Sequence, residues 1–135
     1  MLYVEDDEVN VLLMEHLFAV STNWQLECAR SGAEGMAAAT RRCHQLILLD
    51  MSLPDITGIE LFRRLQADLR TKHIPCIAVS GEAAPTQINR ALALGFTDYW
   101  VKPLDLRQAI AKMKRLLKQE PLSVSLREGS IQGVD

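Results

Sequence analysis

Several side chains in this sequence could do chemistry if the fold brought them together. They are the carboxylates of Glu5, Asp6 and Asp7, the carboxylate of Asp50, the hydroxyl of Ser80 and the ammonium of Lys102. Carboxylates held within a few ångströms of one another cannot all ionise unaided. A hard divalent cation relieves the repulsion, and Mg²⁺ favours one or two carboxylates, waters and phosphate oxygens over an all-protein cage. A carboxylate, a divalent cation, a lysine and a hydroxyl are what phosphoryl transfer requires: alignment, and neutralisation of the equatorial oxygens. Asp50 is the candidate nucleophile, because carboxylates form acyl phosphates. Each piece alone has an ordinary explanation. Glu5-Asp6 and Asp50 could cap the next element, Ser80-Gly81 could be a turn and Lys102-Pro103 a loop. Their joint placement is what carries weight.

That placement follows from the elements. Leu2–Glu5 reads as a strand, and Val9, Leu12, Leu13, Leu17 and Val20 mark the apolar face of a helix over 9–20. Gln25–Ala29 reads as a second strand. Ser31-Gly32-Ala33-Glu34 has capping-box spacing for a helix over 32–42. The unbroken apolar run Leu46–Leu49 suits a central parallel strand covered on both faces. Thr57-Gly58-Ile59-Glu60 is a second capping box, opening a helix that carries Ile59, Phe62, Leu65 and Leu69. Cys76–Val79 is the fourth strand. Pro85 starts a helix through Ile88, Ala91 and Leu92, with Gly95 as its C-terminal cap. Tyr99–Val101 is the fifth strand, and Asp105 caps a last helix with Leu106, Ile110, Met113 and Leu117. Five strand–helix units with right-handed crossovers make an α/β, (βα)₅ doubly wound parallel sheet. Glu5, Asp6, Asp50, Ser80 and Lys102 then all fall at carboxyl ends of strands, beside the crevice where open α/β sheets bind ligands.

Composition sets the outer limits. At 135 residues the chain has the size of one domain. A net charge of −2 provides no basic field to recruit nucleic acid or an anionic membrane. Apolar runs are far shorter than a bilayer span. Glu5 to Glu8 interrupt any leader-like stretch, so a cytoplasmic protein without a signal peptide is expected. Cys28, Cys43 and Cys76 are odd in number and lack metal-ligand spacing, as in a reduced cytosolic set. His16, placed on the apolar face of the first helix, and His44 and His73, placed in loops, read as structural. Trp24 and Trp100 read as packing aromatics, with Trp100 a second candidate for an interaction face.

The blocks Val4-Glu5-Asp6-Asp7, Leu48-Leu49-Asp50-Met51-Ser52-Leu53-Pro54 with Gly58, Val79-Ser80-Gly81, and Tyr99-Trp100-Val101-Lys102-Pro103 stand in this order. Over residues 2–118 the sequence resembles the response-regulator receiver domain of two-component signalling. That resemblance implies a flavodoxin-like sheet of strand order 2-1-3-4-5. It implies phosphorylation of Asp50, with Asp6 binding Mg²⁺ directly, Glu5 acting mostly through water, and Asp50 and the Ser52 backbone carbonyl completing the ligands. Mn²⁺ would substitute. It makes Lys102 the phosphoryl-contacting lysine, Ser80 the switch hydroxyl, Tyr99 the aromatic that turns inward, and Gly81 and Pro103 supporting residues. The implied donor is a sensor histidine kinase or a histidine phosphotransfer protein. Helix four, strand five and helix five form the implied readout face, open to a partner or to a second copy. The Glu-Asp pair replaces the commoner Asp-Asp, and Asp7 adds a carboxylate whose part in the metal site the sequence leaves open.

Three other readings compete. A phosphohydrolase with an aspartyl-phosphate intermediate would carry a general acid two residues after its nucleophile, where this chain has Ser52. A docking module that had lost its chemistry would not keep Asp6, Asp50, Ser80 and Lys102 together. A nucleotide- or flavin-binding fold would place a Gly-rich phosphate loop after the first strand. The expected organisation is a receiver domain over 1–120 and a tail or linker over 121–135. Within that tail Leu122, Val124 and Leu126 alternate like a strand. The abrupt start and the tail suggest a piece of a larger protein, such as the receiver of a hybrid sensor kinase.

Overall fold

Short apolar runs bounded by turn residues become five strands in a computed structural model, which describes residues 1–118. They are β1 (Leu2–Val4), β2 (Glu27–Ala29), β3 (Ile47–Asp50), β4 (Cys76–Ser80) and β5 (Asp98–Val101). All pair in parallel, in the order β2-β1-β3-β4-β5. Helices α1 (Glu8–Ser21), α2 (Gly32–Arg41), α3 (Gly58–Ala67), α4 (Pro85–Leu94) and α5 (Leu106–Lys118) follow the strands in turn. This is the expected (βα)₅, flavodoxin-like order. The chain divides into two compact units, Met1–Leu104 and a second beginning at Asp105. The sheet and α1–α4 belong to the first; α5 is the described part of the second. The alternating segment 122–126 and the rest of the expected tail lie outside the described residues.

Sheet alternation sorts the core. Leu2 and Val4, Ile47 and Leu49, and Cys76 and Ala78 share one face with Ala38 and Ala39 of α2, Leu61, Phe62 and Leu65 of α3, and Ala91 of α4. Phe96, just past α4, stacks on Phe62 with ring centroids 4.0 Å apart. Tyr3, Leu48, Ile77 and Val79 point to the opposite face and are equally buried. Burial of β1, β3 and β4 on both faces explains their unbroken apolar sequence.

Both capping boxes place their caps as expected. Ser31 Oγ accepts from the Glu34 N–H and Thr57 Oγ1 from the Glu60 N–H, each at 3.1 Å. Asp105 accepts the Gln108 N–H at 3.1 Å, capping α5. Gly95 ends α4 at φ 121°, a conformation that favours glycine.

Two expectations about apolar faces need correction. In α1 the buried side chains are Val11, Met14 and Phe18. Val9, Leu12, Leu13 and Val20 are exposed, and His16 shares that exposed side. Apolar residues lie all round this helix, so spacing alone admits two stripes. The short turn from Glu5 through the cap at Asp7 selects one of them. The second correction is Leu69, which lies beyond the end of α3 and is 78% exposed. Trp100 is buried, which supports its packing role and removes it as an interaction-face residue. The cysteines are all free, with Cys76 in the core. Among the described residues no helix is long and apolar enough to cross a membrane.

Candidate functional site: an acidic cluster at the strand ends

The strand order reverses at β1, which has β2 on one side and β3 on the other, so a crevice opens beyond the carboxyl ends of β1 and β3. Register determines what stands there. Val4 pairs with Leu49, so Glu5 lies level with Asp50. Asp50 pairs in turn with Val79, and Ser80 with Val101. Backbone hydrogen bonds extend this order past the strand ends: Glu5 N–H to Ala29 O (2.8 Å), Met51 N–H to Val79 O (3.0 Å) and Lys102 N–H to Ser80 O (2.7 Å).

Glu5 and Asp50 are both buried, at 0% and 2% exposure, whereas Asp6 is exposed. Carboxylate oxygens of Glu5, Asp6 and Asp50 lie within 4.8 Å of one another. The Lys102 ammonium bridges the buried pair, 3.0 Å from Glu5 Oε1 and 3.3 Å from Asp50 Oδ2. Burial pushes the Asp50 carboxyl up, the neighbouring Glu5 adds to it, and Asp50 reaches about 6. Burial also opposes charge on Glu5, but hydrogen bonds with Asp50, Lys102 and the Asp7 N–H outweigh it and hold Glu5 below its ordinary value. Burial likewise works against charge on Lys102, and the two carboxylates more than offset it. Glu5 is thus the standing anion of the pair, and Asp50 keeps its proton to higher pH. Three clustered acids, two of them sharing one ammonium, with oxygen donors only, suit a hard divalent cation.

The remaining expected residues surround this cluster. The Ser52 N–H donates to Asp50 Oδ1 at 3.1 Å, and Ser52 pairs with Thr57 in an isolated bridge. That bridge turns the loop back on itself. A Cβ on Gly58 would stand 2.6 Å from Met51 Cα and 2.9 Å from the Asp50 carbonyl oxygen, so only glycine fits there. Ser80 Oγ accepts from the Glu82 N–H at 3.1 Å, and the Tyr99 hydroxyl donates to the Glu82 carbonyl at 2.7 Å. Ser80 and Tyr99 are therefore linked through one residue of the β4–α4 loop. Among the described residues, neither hydroxyl bonds the Asp50 carboxylate or the Lys102 ammonium. Gly81 and Pro103 are exposed, and a Cβ on Gly81 would meet nothing within 4 Å. Asp7 serves the helix instead, where its carboxylate accepts from the Val9 and Asn10 N–H groups and caps α1.

Two residues are not singled out by the sequence. The Tyr3 hydroxyl donates to Glu5 Oε1 at 3.1 Å. Burial, then the nearby Glu5, pushes the Tyr3 phenol far above its ordinary range, so it remains a donor. Its signal is a hydroxyl-bearing aromatic two positions before Glu5 in a buried strand, hence on the same face. Asp55 accepts from Gly32 N–H (2.7 Å) and Ala33 N–H (2.9 Å), stapling the loop after β3 to the start of α2. Its partners are more than twenty positions away, and no local pattern announces them.

Comparison with known proteins identifies the family and the fold. The family model of the response regulator receiver domain matches residues 1–114. The phosphate regulon transcriptional regulatory protein PhoB of Rhizobium meliloti is 35% identical over 133 residues, which cover 96% of this chain and 58% of PhoB. The response regulator ArlR of Staphylococcus aureus is 27% identical over 87% of this chain and 52% of its own length. The chain thus spans little more than half the length of these curated relatives. Among solved structures, a CheY-like receiver domain protein from Methanospirillum hungatei superposes with TM-score 0.78 at 28% identity, over 88% of this chain and 94% of its own. The receiver domain of the sensor histidine kinase PA1611 from Pseudomonas aeruginosa, with a magnesium ion coordinated in its active site cleft, gives TM-score 0.77 at 26% identity. That match covers 86% of this chain and 94% of the PA1611 domain.

Proposed function

Because this chain belongs to the response regulator receiver domain family, we propose that it accepts a phosphoryl group on Asp50 from a phosphohistidine donor. The observation that carries the proposal is Asp50 itself: a buried carboxylate at the end of β3, 3.3 Å from a lysine ammonium and clustered with two further acids. The phosphoacceptor role is general to the family. The donor, the cation and the residue roles are specific to this proposal.

Glu5, Asp6, Asp50 and the Ser52 carbonyl would hold Mg²⁺, with Mn²⁺ as a substitute; the magnesium in the PA1611 receiver supports that choice. A cation there supplies charge neutralisation to phosphoryl oxygens. One Asp50 carboxylate oxygen forms the new P–O bond as the P–N bond to the donor imidazole breaks. The imidazole leaves with the bonding pair and takes up a proton from solvent. Lys102, already shared between Glu5 and Asp50, turns toward a phosphoryl oxygen, and the Ser52 N–H keeps the attacking carboxylate oriented. Water later cleaves the acyl phosphate, so the domain assists its own labelling and unlabelling but acts on no separate substrate.

The switch runs through Glu82. When Ser80 Oγ turns to a phosphoryl oxygen it gives up the Glu82 N–H, and the loop moves with the Tyr99 hydroxyl attached to the Glu82 carbonyl. Gly81 and Pro103 flank these moving parts. The charge of roughly −1.5 to −2 that phosphorylation adds drives the change. Residues 1–120 would be the receiver and 121–135 a tail or linker. The donor would be a sensor histidine kinase or a histidine phosphotransfer protein in the cytoplasm. Self-association would use α4, β5 and α5. The PA1611 receiver, being part of a kinase, supports a hybrid-kinase origin, and PhoB supports a transcriptional regulator.

The test is intact-mass measurement after incubation with acetyl phosphate, with and without Mg²⁺. A Mg²⁺-dependent gain of one phosphoryl group, absent from Asp50→Asn, is expected. No gain, under conditions that label a known receiver, would contradict the proposal.

A further inference from the structure

We propose that Tyr3 is a positioning residue of the acidic site, its hydroxyl fixing the Glu5 conformation that a bound cation requires. The proposal rests on the reading of Glu5, Asp6 and Asp50 as a cation site. Glu5 is fully buried; among the described residues its carboxylate meets Tyr3 Oη and Lys102 Nζ on Oε1, the Asp7 N–H on Oε2, and the Asp50 carboxyl. Lys102 is shared with Asp50 and would turn away once a phosphoryl group arrives. The Asp7 N–H sits on the turn that starts α1. Among the described residues, Tyr3 is the one side-chain partner of Glu5 that belongs to a fully buried strand and takes no part in the transfer.

The chemistry explains why a hydroxyl is needed here. Glutamate has one more rotatable bond than aspartate, so a glutamate in this pair can swing its carboxylate out of register with Asp50 and Asp6. A neutral donor on the same face of the same strand restricts that swing without competing for the cation, because a phenol carries no charge to repel it. Hydrogen-bonded outer partners of metal-binding carboxylates orient them in this way, and losing one costs about tenfold or more in metal affinity. Phenylalanine would fill the same space while leaving Oε1 to Lys102 alone.

The experiment is a double-mutant cycle on Mg²⁺ affinity, measured by isothermal titration calorimetry on the full chain: wild type, Tyr3→Phe, Glu5→Asp and the double variant. Thermal melts in chelator would run alongside. Tyr3→Phe is expected to weaken Mg²⁺ binding about tenfold. In the Glu5→Asp background, whose shorter carboxylate no longer reaches the phenol, the same change is expected to alter the Kd less than about twofold. An unchanged Kd in Tyr3→Phe, or an equal loss in both backgrounds, would overturn the assignment and leave Tyr3 a packing residue. A wild type that binds no Mg²⁺ would overturn the cation site as well, which separates the two failures.

Discussion

At the scale of single residues, the site is governed by two buried carboxylates sharing one ammonium. Glu5 and Lys102 are held in their charged forms, whereas without a cation Asp50 is the member of that arrangement that opposes folding. Its ordinary pKa is about 3.9, and in the folded protein burial and Glu5 raise it to about 6. Below about pH 4 Asp50 is protonated in both states and costs nothing. As pH rises through the window from about 4 to 6, the unfolded chain releases the proton more readily, and stability falls. Above about 6 the whole penalty is present, on the order of 2–3 kcal/mol. Asp50→Asn should therefore stabilise the protein in chelator at pH 7.5 by roughly that amount, with the gain vanishing near pH 4. Chemical denaturation across this pH range checks it, and a variant less stable than wild type at pH 7.5 would contradict it. Glu5, Asp6, Asp50 and Lys102 are legible in the sequence because strand ends announce them. Tyr3 is not, because a tyrosine in a buried strand looks like packing until its hydroxyl is seen to have a partner. For Asp7 the sequence admits more than one part, and the structure shows a helix cap.

At the scale of elements, caps and strands can be read from local pattern. So can the buried positions Phe62 and Leu65 of α3 and Ile110 and Met113 of α5, but the buried face of α1 cannot. Ser31, Thr57 and Asp105 cap helices because their oxygens sit where orphan N–H groups need them, a requirement internal to a few residues. Which stripe of α1 is buried depends on how the helix is rotated on its unit, and apolar residues occur all round it. Met14 is fully buried, whereas Leu12 and Leu13 are half exposed. Met14→Ala should accordingly cost about 2–5 kcal/mol, and Leu12→Ala and Leu13→Ala should each stay within about 0.5 kcal/mol. Urea unfolding measures all three; comparable losses at Leu12 or Leu13 would restore the stripe expected from spacing. The staple from Asp55 to the start of α2 shows the same limit, since it joins two loops that only the fold makes neighbours.

At the scale of the whole molecule, topology follows from rules that leave little choice. Five strand–helix units with right-handed crossovers and apolar central strands lead to a parallel sheet with a switch point, and the chemistry-bearing residues then meet at one crevice. Ser80 and Tyr99 converge on Glu82 rather than on Asp50, a pairing that no spacing encodes because it depends on the path of the loop after β4. The segment 122–126 offers only its alternating pattern, and the curated relatives extend well beyond the length matched here. What unites the molecule is the claim that a phosphoryl group resides on Asp50. The most direct test is to label the protein with acetyl phosphate and Mg²⁺, reduce the acyl phosphate with borohydride, and map the peptides. Homoserine in place of Asp50, and nowhere else, is the predicted result. Reduction at Glu5 or Asp6, or none at Asp50 in protein that has gained a phosphoryl group, would contradict the account.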